Sequence, residues 1–281
     1  MPPSAMVMML FELFAILVGL VCGSFARVCI TRWPHDRSVV FPNSQCPKCA
    51  APIKASQNIP VLSWFMLRGK AACCKADISI EYPLTEALGA SLAWLLFQRF
   101  IPTIAEIDVA HFAAWILYFC FSLMLLIASM VDLRHRIIPD QVSIYAVPVG
   151  LGGVVLLNFL GYDGWLAISW QNAALGAAVT GGSMAILSLS FLFLLDREGL
   201  GWGDVKLLAA IGAFVGLAPG AWFVLMFGSL LGSAVGIAHL LWTQQRSYLP
   251  FGPALSLAAI AYVLFGEWFI ASFFPNIDGW L

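Results

Sequence analysis

Long apolar stretches separated by short polar connections make up most of this chain. A helix that crosses the hydrocarbon core of a bilayer needs about 20 predominantly apolar residues. Eight segments meet or approach this length: 6–30, 84–100, 110–131, 142–160, 173–195, 205–215, 221–242 and 254–274. The sixth is short, and the second carries Glu86 near its start. The pattern predicts an all-α polytopic membrane protein with about eight transmembrane helices.

The composition supports this fold class. Of the 281 residues, 61% are hydrophobic and 10% are charged, whereas about a quarter of the residues in a soluble globular protein are charged. A soluble enzyme is therefore excluded. The formal net charge of −1 also excludes a nucleic-acid-binding protein that acts through bulk basicity.

The positions of the basic residues predict the orientation of the chain. Cytoplasmic loops of membrane proteins carry an excess of Lys and Arg. If the eight segments alternate across the bilayer, every Lys and Arg except Arg99 lies on one side. We therefore expect the loop 31–83 to be cytoplasmic and both termini to lie outside.

The loop 31–83 is the only sizeable polar segment. It divides the chain into a first transmembrane helix (1–30), a cytoplasmic loop domain (31–83) and a multi-span domain (84–281). A domain of about 50 residues builds little hydrophobic core and usually needs a disulfide or a metal. Two pairs of cysteines are available, Cys46 with Cys49 and Cys73 with Cys74.

A reducing cytoplasm disfavours disulfides, and a CxxC pair followed by a second cysteine pair is typical of a structural zinc site. Cys73 and Cys74 are adjacent, however, with Ala71 where a second CxxC would begin. We expect adjacent cysteines to direct both sulfurs to one tetrahedral ion only rarely. A four-cysteine zinc site, a three-cysteine site and a domain without metal all stay open.

Two aspartates lie at predicted ends of spans on the cytoplasmic side, Asp132 and Asp204. Ionisable residues at membrane depth are usually functional. Two carboxylates that share a proton activate water and protonate a carbonyl. For each aspartate alone, a helix N-cap or a solvated ion pair is an alternative.

The residues around Asp204 fit the same chemistry. Gly201 and Gly203 leave room for an extended substrate backbone and permit a turn with positive φ. Lys206 is a candidate substrate contact or a group that sets the pKa of the pair, or it only extends to the interface. Asp140 resembles a cap or turn residue.

A series of short motifs runs along the chain in the order Gly23-Ser-Phe25 with Arg32 and Pro34, Cys46-Pro-Lys-Cys49, Asn58-Ile-Pro60, Ser63-Trp64, Gly69-Lys70, Ile78-Ser79, Tyr82-Pro83, Glu86, Asp132, Ile138-Pro-Asp140, Gly201-Trp-Gly-Asp204 and Pro250-Phe-Gly-Pro253. In this ordered set the sequence resembles the bifunctional prepilin peptidases, membrane aspartic proteases of type IV pilus and type II secretion systems. Each motif is weak alone, but the ordered set covers nearly the whole chain.

The resemblance implies that Asp132 and Asp204 are the catalytic pair and that the substrates are prepilins or pseudopilins. It implies cleavage of a basic leader at a Gly-Phe junction on the cytoplasmic face of a bacterial inner membrane. The resemblance further implies that the new amino terminus is then N-methylated with S-adenosylmethionine and that the peptidase reaction itself needs no cofactor.

Three residues depart from the family pattern, which commonly has Cys at Ala71, Asn at Arg27 and a basic residue at Glu81. All three lie in the part associated with methylation or metal binding. The departures leave the peptidase motifs intact and put zinc binding and methyl transfer in question.

Two other function classes stay open: an ion-coupled transporter that uses the intramembrane carboxylates, and a non-catalytic assembly scaffold. For a peptidase, we expect an acidic mouth to bind the basic leader. We expect the substrate helix to pack against small residues, namely Gly212, Gly216, Gly232 and Ala234.

Overall fold

The computed structural model describes residues 3–46, 48–196, 201–244 and 250–273. These residues form nine α-helices: α1 (Pro3–Arg32), α2 (Leu62–Met66), α3 (Glu81–Phe100), α4 (Val109–His135), α5 (Ala146–Leu160), α6 (Trp170–Leu195), α7 (Trp202–Val215), α8 (Trp222–Thr243) and α9 (Gly252–Phe273). Between α7 and α8 the chain bends in a π-helical segment, Gly216–Ala221, that contains Pro219. The all-α fold class is confirmed. Of the residues used to predict orientation, Arg197 and Arg246 lie outside the described ranges, as does the end of the last predicted segment at 274.

Each of the eight predicted segments corresponds to one long helix. Within the described residues, six helical stretches are long and apolar enough to cross a membrane: Ser4–His35, Val109–His135, Asp140–Leu160, Trp170–Leu194, Trp202–Thr243 and Gly252–Phe273. In this count α7 and α8 form one continuous stretch. Helix α3 is not included, and it carries three charged residues, Glu81, Glu86 and Arg99. The exact number of eight spans therefore stays a prediction.

The chain divides into two compact units, Met1–Ile104 and Ala105–Leu281. In the first unit, α1 and α3 pack through glycines at unusually short range. A Cβ atom on Gly19 would lie 2.5 Å from the carbonyl oxygen of Gly89, and a Cβ on Gly89 would lie 2.8 Å from Cα of Gly23. Small residues spaced by four allow this close approach of two membrane helices. The polar loop that contains α2 connects them.

In the second unit, α6 and α7 pack in the same way. A Cβ on Gly212 would lie 2.4 Å from the carbonyl oxygen of Gly176. Gly216 has φ +74 and lies against the side chain of Asn172. The expectation that Gly212 and Gly216 receive a substrate helix is wrong, because both already pack against α6.

Helices α4 and α7 meet far from their polar ends. The rings of Phe121 and Phe214 stack with centroids 4.2 Å apart, and the buried Tyr118 hydroxyl donates to the carbonyl of Phe214 at 3.1 Å. The C-terminal end of α4 and the N-terminal end of α7 line one cavity, so the two helices run antiparallel. This arrangement brings together residues that are 72 positions apart in the chain.

Candidate active site

Asp132 and Asp204 lie in one cavity. Asp132 is in the last turn of α4 and Asp204 is in the first turn of α7, and each is only 5% exposed. The cavity has a volume of about 250 Å³. Its lining consists of Asp132, Arg136, Ile137, Ile138, Gly201, Trp202, Gly203, Asp204 and Lys206. The structure therefore brings the two predicted catalytic residues together with Gly201, Gly203 and Lys206.

Asp132 is positioned by a residue from a third helix. Its Oδ2 atom accepts a buried hydrogen bond of 3.1 Å from the backbone N–H of Gly252, the first residue of α9. The first N–H groups of a helix have no partner within the helix, and the helix dipole favours an anion beside them. The start of α9 therefore supplies Asp132 with a fixed donor.

Position 252 leaves no room for a side chain. A Cβ atom there would lie 2.6 Å from Oδ2 of Asp132 and 3.2 Å from Cδ1 of Ile138. In the sequence Gly252 belongs to the motif Pro250-Phe-Gly-Pro253, which indicates no specific role for it. Gly252 lies 120 residues from Asp132, and no local sequence pattern indicates a contact between residues so far apart. A glycine in a segment that contains two prolines is the one sequence feature that indicates a close approach of the backbone to another group.

The simpler interpretations of the two aspartates are wrong. Helix α7 has Gly201 at its N-cap, so Asp204 is not the capping residue. Asp132 is at the C-terminal end of α4, and the N-cap of that helix is Asp108, whose side chain accepts from the N–H of His111. Lys206 forms its described ion pair with Asp140 and not with either member of the pair.

The glycines beside Asp204 do not form the turn with positive φ that was expected of them. Gly201 has φ −64, so it does not adopt the positive φ that the sequence suggested. A Cβ on Gly203 would lie 3.2 Å from Cβ of Ile138. Gly203 therefore allows α7 to approach the segment after α4, which brings Asp204 towards Asp132.

Among the described residues that line the cavity two are basic, which the expectation of an acidic mouth did not include. Arg136 ends α4 in the left-handed conformation, with φ 55, and lines the cavity with Lys206. The Lys206 ammonium lies 2.9 Å from Oδ1 of Asp140, which begins a 3₁₀ turn after Pro139. Two basic residues therefore accompany the two carboxylates.

The four cysteines of the loop domain form a separate cluster. The sulfurs of Cys46, Cys49, Cys73 and Cys74 all lie within 4.8 Å of one another. The Cys46–Cys74 and Cys49–Cys73 distances are 3.7 and 3.2 Å. Zinc–sulfur bonds of about 2.3 Å in a tetrahedron place sulfurs roughly 3.8 Å apart. The adjacent pair thus brings both sulfurs to one point, against our expectation.

Two matching turns build this cluster. Each is closed by two backbone hydrogen bonds: Cys46 N to Ala51 O and Ala50 N to Cys46 O in the first, and Ala71 N to Ala76 O and Lys75 N to Ala71 O in the second. Both also contain a residue with positive φ, Ala50 and Lys75. Ala71 therefore occupies the position that Cys46 has in the first turn, and Cys73 supplies the remaining sulfur.

The thiol of Cys46 differs from an ordinary cysteine. Hydrogen bonds from the backbone N–H groups of Cys49 and Lys48 lower its pKa to about 6, whereas the side-chain hydrogen bond with Cys49 raises the pKa of Cys73 to about 12. Thiolates are the form in which cysteine binds metals. The donor set and its spacing fit a structural zinc ion.

The other two departures from the family pattern form one ion pair. The Arg27 guanidinium is buried in α1, and its Nη2 donates to Oε2 of Glu81 at 2.8 Å. It also lies over the ring of Tyr82, 4.7 Å from the centroid. A positive charge on α1 is thus matched by a negative charge on α3.

Comparisons with known proteins agree with these motifs. Residues 17–100 match the bacterial peptidase A24 N-terminal domain, and residues 119–241 match the type IV leader peptidase family. No solved structure matches the chain.

Several curated relatives are similar over nearly their whole length. A prepilin leader peptidase/N-methyltransferase of Stutzerimonas stutzeri is 32% identical over 294 residues, which cover 94% of this chain and 93% of the relative. One of Aeromonas hydrophila is 34% identical over 289 residues, with 92% and 93% covered. The type 4 prepilin-like proteins leader peptide-processing enzyme of Escherichia coli O78:H11 (strain H10407 / ETEC) is 33% identical over 287 residues, with 91% and 98% covered. This chain therefore belongs to the type IV leader peptidase family.

Proposed function

We propose that this protein is a membrane aspartic endopeptidase that removes the basic leader of type IV prepilins or type II secretion pseudopilins. The observation that carries the proposal is the convergence of two buried carboxylates, Asp132 and Asp204, on one cavity. The family and its relatives' names support prepilin-type substrates. The protein is a multi-pass inner-membrane protein.

The reaction assigns different roles to the two carboxylates. Oδ2 of Asp132 already accepts a hydrogen bond from Gly252, so the shared proton lies on the other oxygen of Asp132 or on Asp204. In the proposed mechanism Asp132 takes a proton from water, and the resulting hydroxide attacks the scissile carbonyl carbon. Asp204 donates its proton to the carbonyl oxygen. The tetrahedral intermediate then collapses and the C–N bond breaks: the leaving amine takes the proton held by Asp132, and a hydroxyl of the intermediate returns its proton to Asp204.

The charges around the cavity constrain how the substrate binds. Arg136 and Lys206 offset the negative charge of the carboxylates, and Lys206 is itself paired with Asp140, so the described lining gives no net attraction to a basic leader. We therefore place the basic residues of the leader outside this cavity, and only the extended backbone at the cleavage junction enters it. Exposed Trp202 offers an apolar surface at the rim.

The orientation is part of the proposal. With the basic loops in the cytoplasm, the cavity faces the cytoplasm and both termini lie outside. Prepilin leaders are expected on that side before export of the mature domain.

The loop domain is proposed to bind one structural zinc ion through Cys46, Cys49, Cys73 and Cys74. A bound zinc would crosslink the two turns and stabilise a domain too small to build a large core. The peptidase reaction does not use it.

We further propose that this chain retains methyl transfer, because its departures from the family pattern are compensated within the fold. S-adenosylmethionine would supply the methyl group to the new amino terminus. Nε and Nη1 of Arg27 are buried and have no hydrogen-bond partner among the described residues. They fit an acceptor such as the carboxylate of this donor, which Arg27 would bind. Mass spectrometry of the processed pilin tests this: a mass increase of one methyl group supports retention, and an unmodified amino terminus contradicts it.

The peptidase proposal is tested by co-expression with a prepilin. Asp132→Asn and Asp204→Asn are each expected to abolish leader removal while the protein still inserts in the membrane. Asp108→Asn is the matched control, because Asp108 caps the opposite end of α4 and asparagine is an equally good cap. Processing that survives either active-site change would refute the catalytic pair, whereas a wild-type protein that leaves the prepilin unprocessed would support a transporter or a scaffold instead.

A further inference from the structure

The short helix α2 presents an apolar face to its surroundings. Leu62, Phe65 and Met66 are spaced by three and four residues, so they share one side of the helix, and they are 52%, 64% and 72% exposed. The helix is anchored outside this face: the buried Ser63 hydroxyl accepts from the N–H of Ile59 at 2.8 Å. Exposed apolar side chains grouped on one face usually mark an interaction surface.

Helix α2 is attached to α3 and not merely to the polar loop. The backbone N–H of Val61, directly before α2, donates to Oε2 of Glu86 at 2.6 Å. Glu86 is buried in the second turn of α3. The Trp64 indole N–H donates to the carbonyl of Ile78, just before α3 begins. These bonds fix α2 at the level of the beginning of α3.

This level lies within the range of a membrane-spanning helix. A Cβ on Gly23 of α1 would lie 2.8 Å from Cα of Glu86, so the two residues are at the same height. Gly23 lies nine residues before Arg32, the end of α1, which corresponds to about 13 Å at 1.5 Å per residue. Val21 and Phe25, on either side of Gly23, are themselves exposed apolar residues of this span.

We infer that α2 lies in the interfacial layer of the bilayer, with Leu62, Phe65 and Met66 among the lipid acyl chains. A helix with one apolar face binds in the plane of the interface in this way. The loop 31–83, which the sequence presents as a polar cytoplasmic domain, thus contributes a membrane-embedded element. The inference is independent of the proposed peptidase activity.

The charges near α2 favour anionic lipid as the occupant. Lys54, Arg68 and Lys70 flank the helix and are exposed. Basic residues near a bilayer are attracted to anionic headgroups. A prepilin is the other candidate occupant, but its basic leader would be repelled by the same three residues.

The test is photo-crosslinking of the full-length protein in phosphatidylethanolamine/phosphatidylglycerol nanodiscs. Phe65 is replaced with p-benzoylphenylalanine, which keeps the phenyl ring that contacts Trp64 edge-to-face at 5.3 Å. The same probe at Phe25 calibrates the yield at a lipid-facing position. The probe at Lys48, which is exposed in the first cysteine turn, is the control for an aqueous position.

We expect lipid adducts at position 65 at a yield close to that at 25 and several-fold above that at 48. If the change at Phe65 impairs folding, the probe at the neighbouring exposed Met66 replaces it. A yield at 65 and 66 equal to that at 48 overturns the inference. Adducts to co-reconstituted prepilin in place of lipid also overturn it, and they identify α2 as a substrate-docking surface instead.

Discussion

Replacing Gly252 with alanine tests how the start of α9 controls the active site. The added Cβ would lie 2.6 Å from Oδ2 of Asp132, whereas ordinary contact begins at 3.4 Å. The carboxylate or the start of α9 must therefore move by about 0.8 Å. Oδ2 is the end of the short Asp132 side chain, so relief of the contact by that side chain moves the carboxylate itself out of its position beside Gly252.

Two estimates of the effect agree. Loss of a hydrogen bond to a charged group costs about 1.5–3 kcal/mol, which corresponds to roughly 10- to 100-fold in rate because about 1.4 kcal/mol is a factor of ten. Misplacement of a catalytic group by about 1 Å costs on the order of 100-fold. We therefore expect Gly252→Ala to lower kcat about 100-fold with little change in KM.

The assay is cleavage of purified prepilin by purified enzyme in detergent or nanodiscs, with kcat and KM determined separately. Gly152→Ala and Gly182→Ala are matched controls, since a Cβ at either helical position meets nothing within 4 Å, and both should cleave at the wild-type rate. A wild-type kcat for Gly252→Ala would refute the positioning of Asp132 by α9. A proportional loss of folded protein in that variant alone would show a structural role instead.

Three further predictions concern the loop domain, the first unit and the orientation. Cys73→Ala should reduce the zinc content measured by elemental analysis from about one ion per chain to nearly none. Cys22 lies outside the cluster, so Cys22→Ala should keep the zinc. Zinc retained by Cys73→Ala would exclude Cys73 as a ligand. Arg27→Asn should lower the free energy of unfolding by about 1–3 kcal/mol, less than for a fully buried pair because the Glu81 side chain is 38% exposed. Adding Glu81→Lys to that variant should restore thermal stability if the two departures compensate each other, and a further loss would contradict this. Alkaline phosphatase fused to the C-terminus should be active, and an inactive fusion with a fluorescent GFP counterpart would reverse the proposed orientation.

The long helices could be predicted from apolar runs, because the tendency of a segment to insert in a membrane depends on its local composition. The predicted segment 110–131 became α4, Val109–His135, and the predicted segment 205–215 became α7, Trp202–Val215. The polar ends were missed in both, since hydropathy falls before the helix ends. This matters chemically, because Asp132 and Asp204 lie within these added turns and not in loops.

Features that depend on distant partners could not be predicted. Gly252 and Asp132 meet only when α9 packs beside α4, and the Arg27–Glu81 pair joins α1 to α3. The contribution of Cys73 and Cys74 to one cluster was also not predicted, because the spacing of adjacent cysteines argues against their binding the same zinc ion. In the structure, the turn that begins at Ala71 nevertheless directs the sulfurs of both residues to one cluster.

The central claim is that Asp132 and Asp204 act as one catalytic unit. The most direct measurement is the single-turnover rate of leader cleavage by Asp132→Asn, Asp204→Asn and the double variant, all purified and reconstituted in the same way. Groups that act together are strongly non-additive, with single losses on the order of 10⁴-fold or more. We predict that each single variant loses at least about that factor and that the double variant is no slower than either. Residual cleavage near the wild-type rate in one single variant, or losses that multiply in the double variant, would contradict the account.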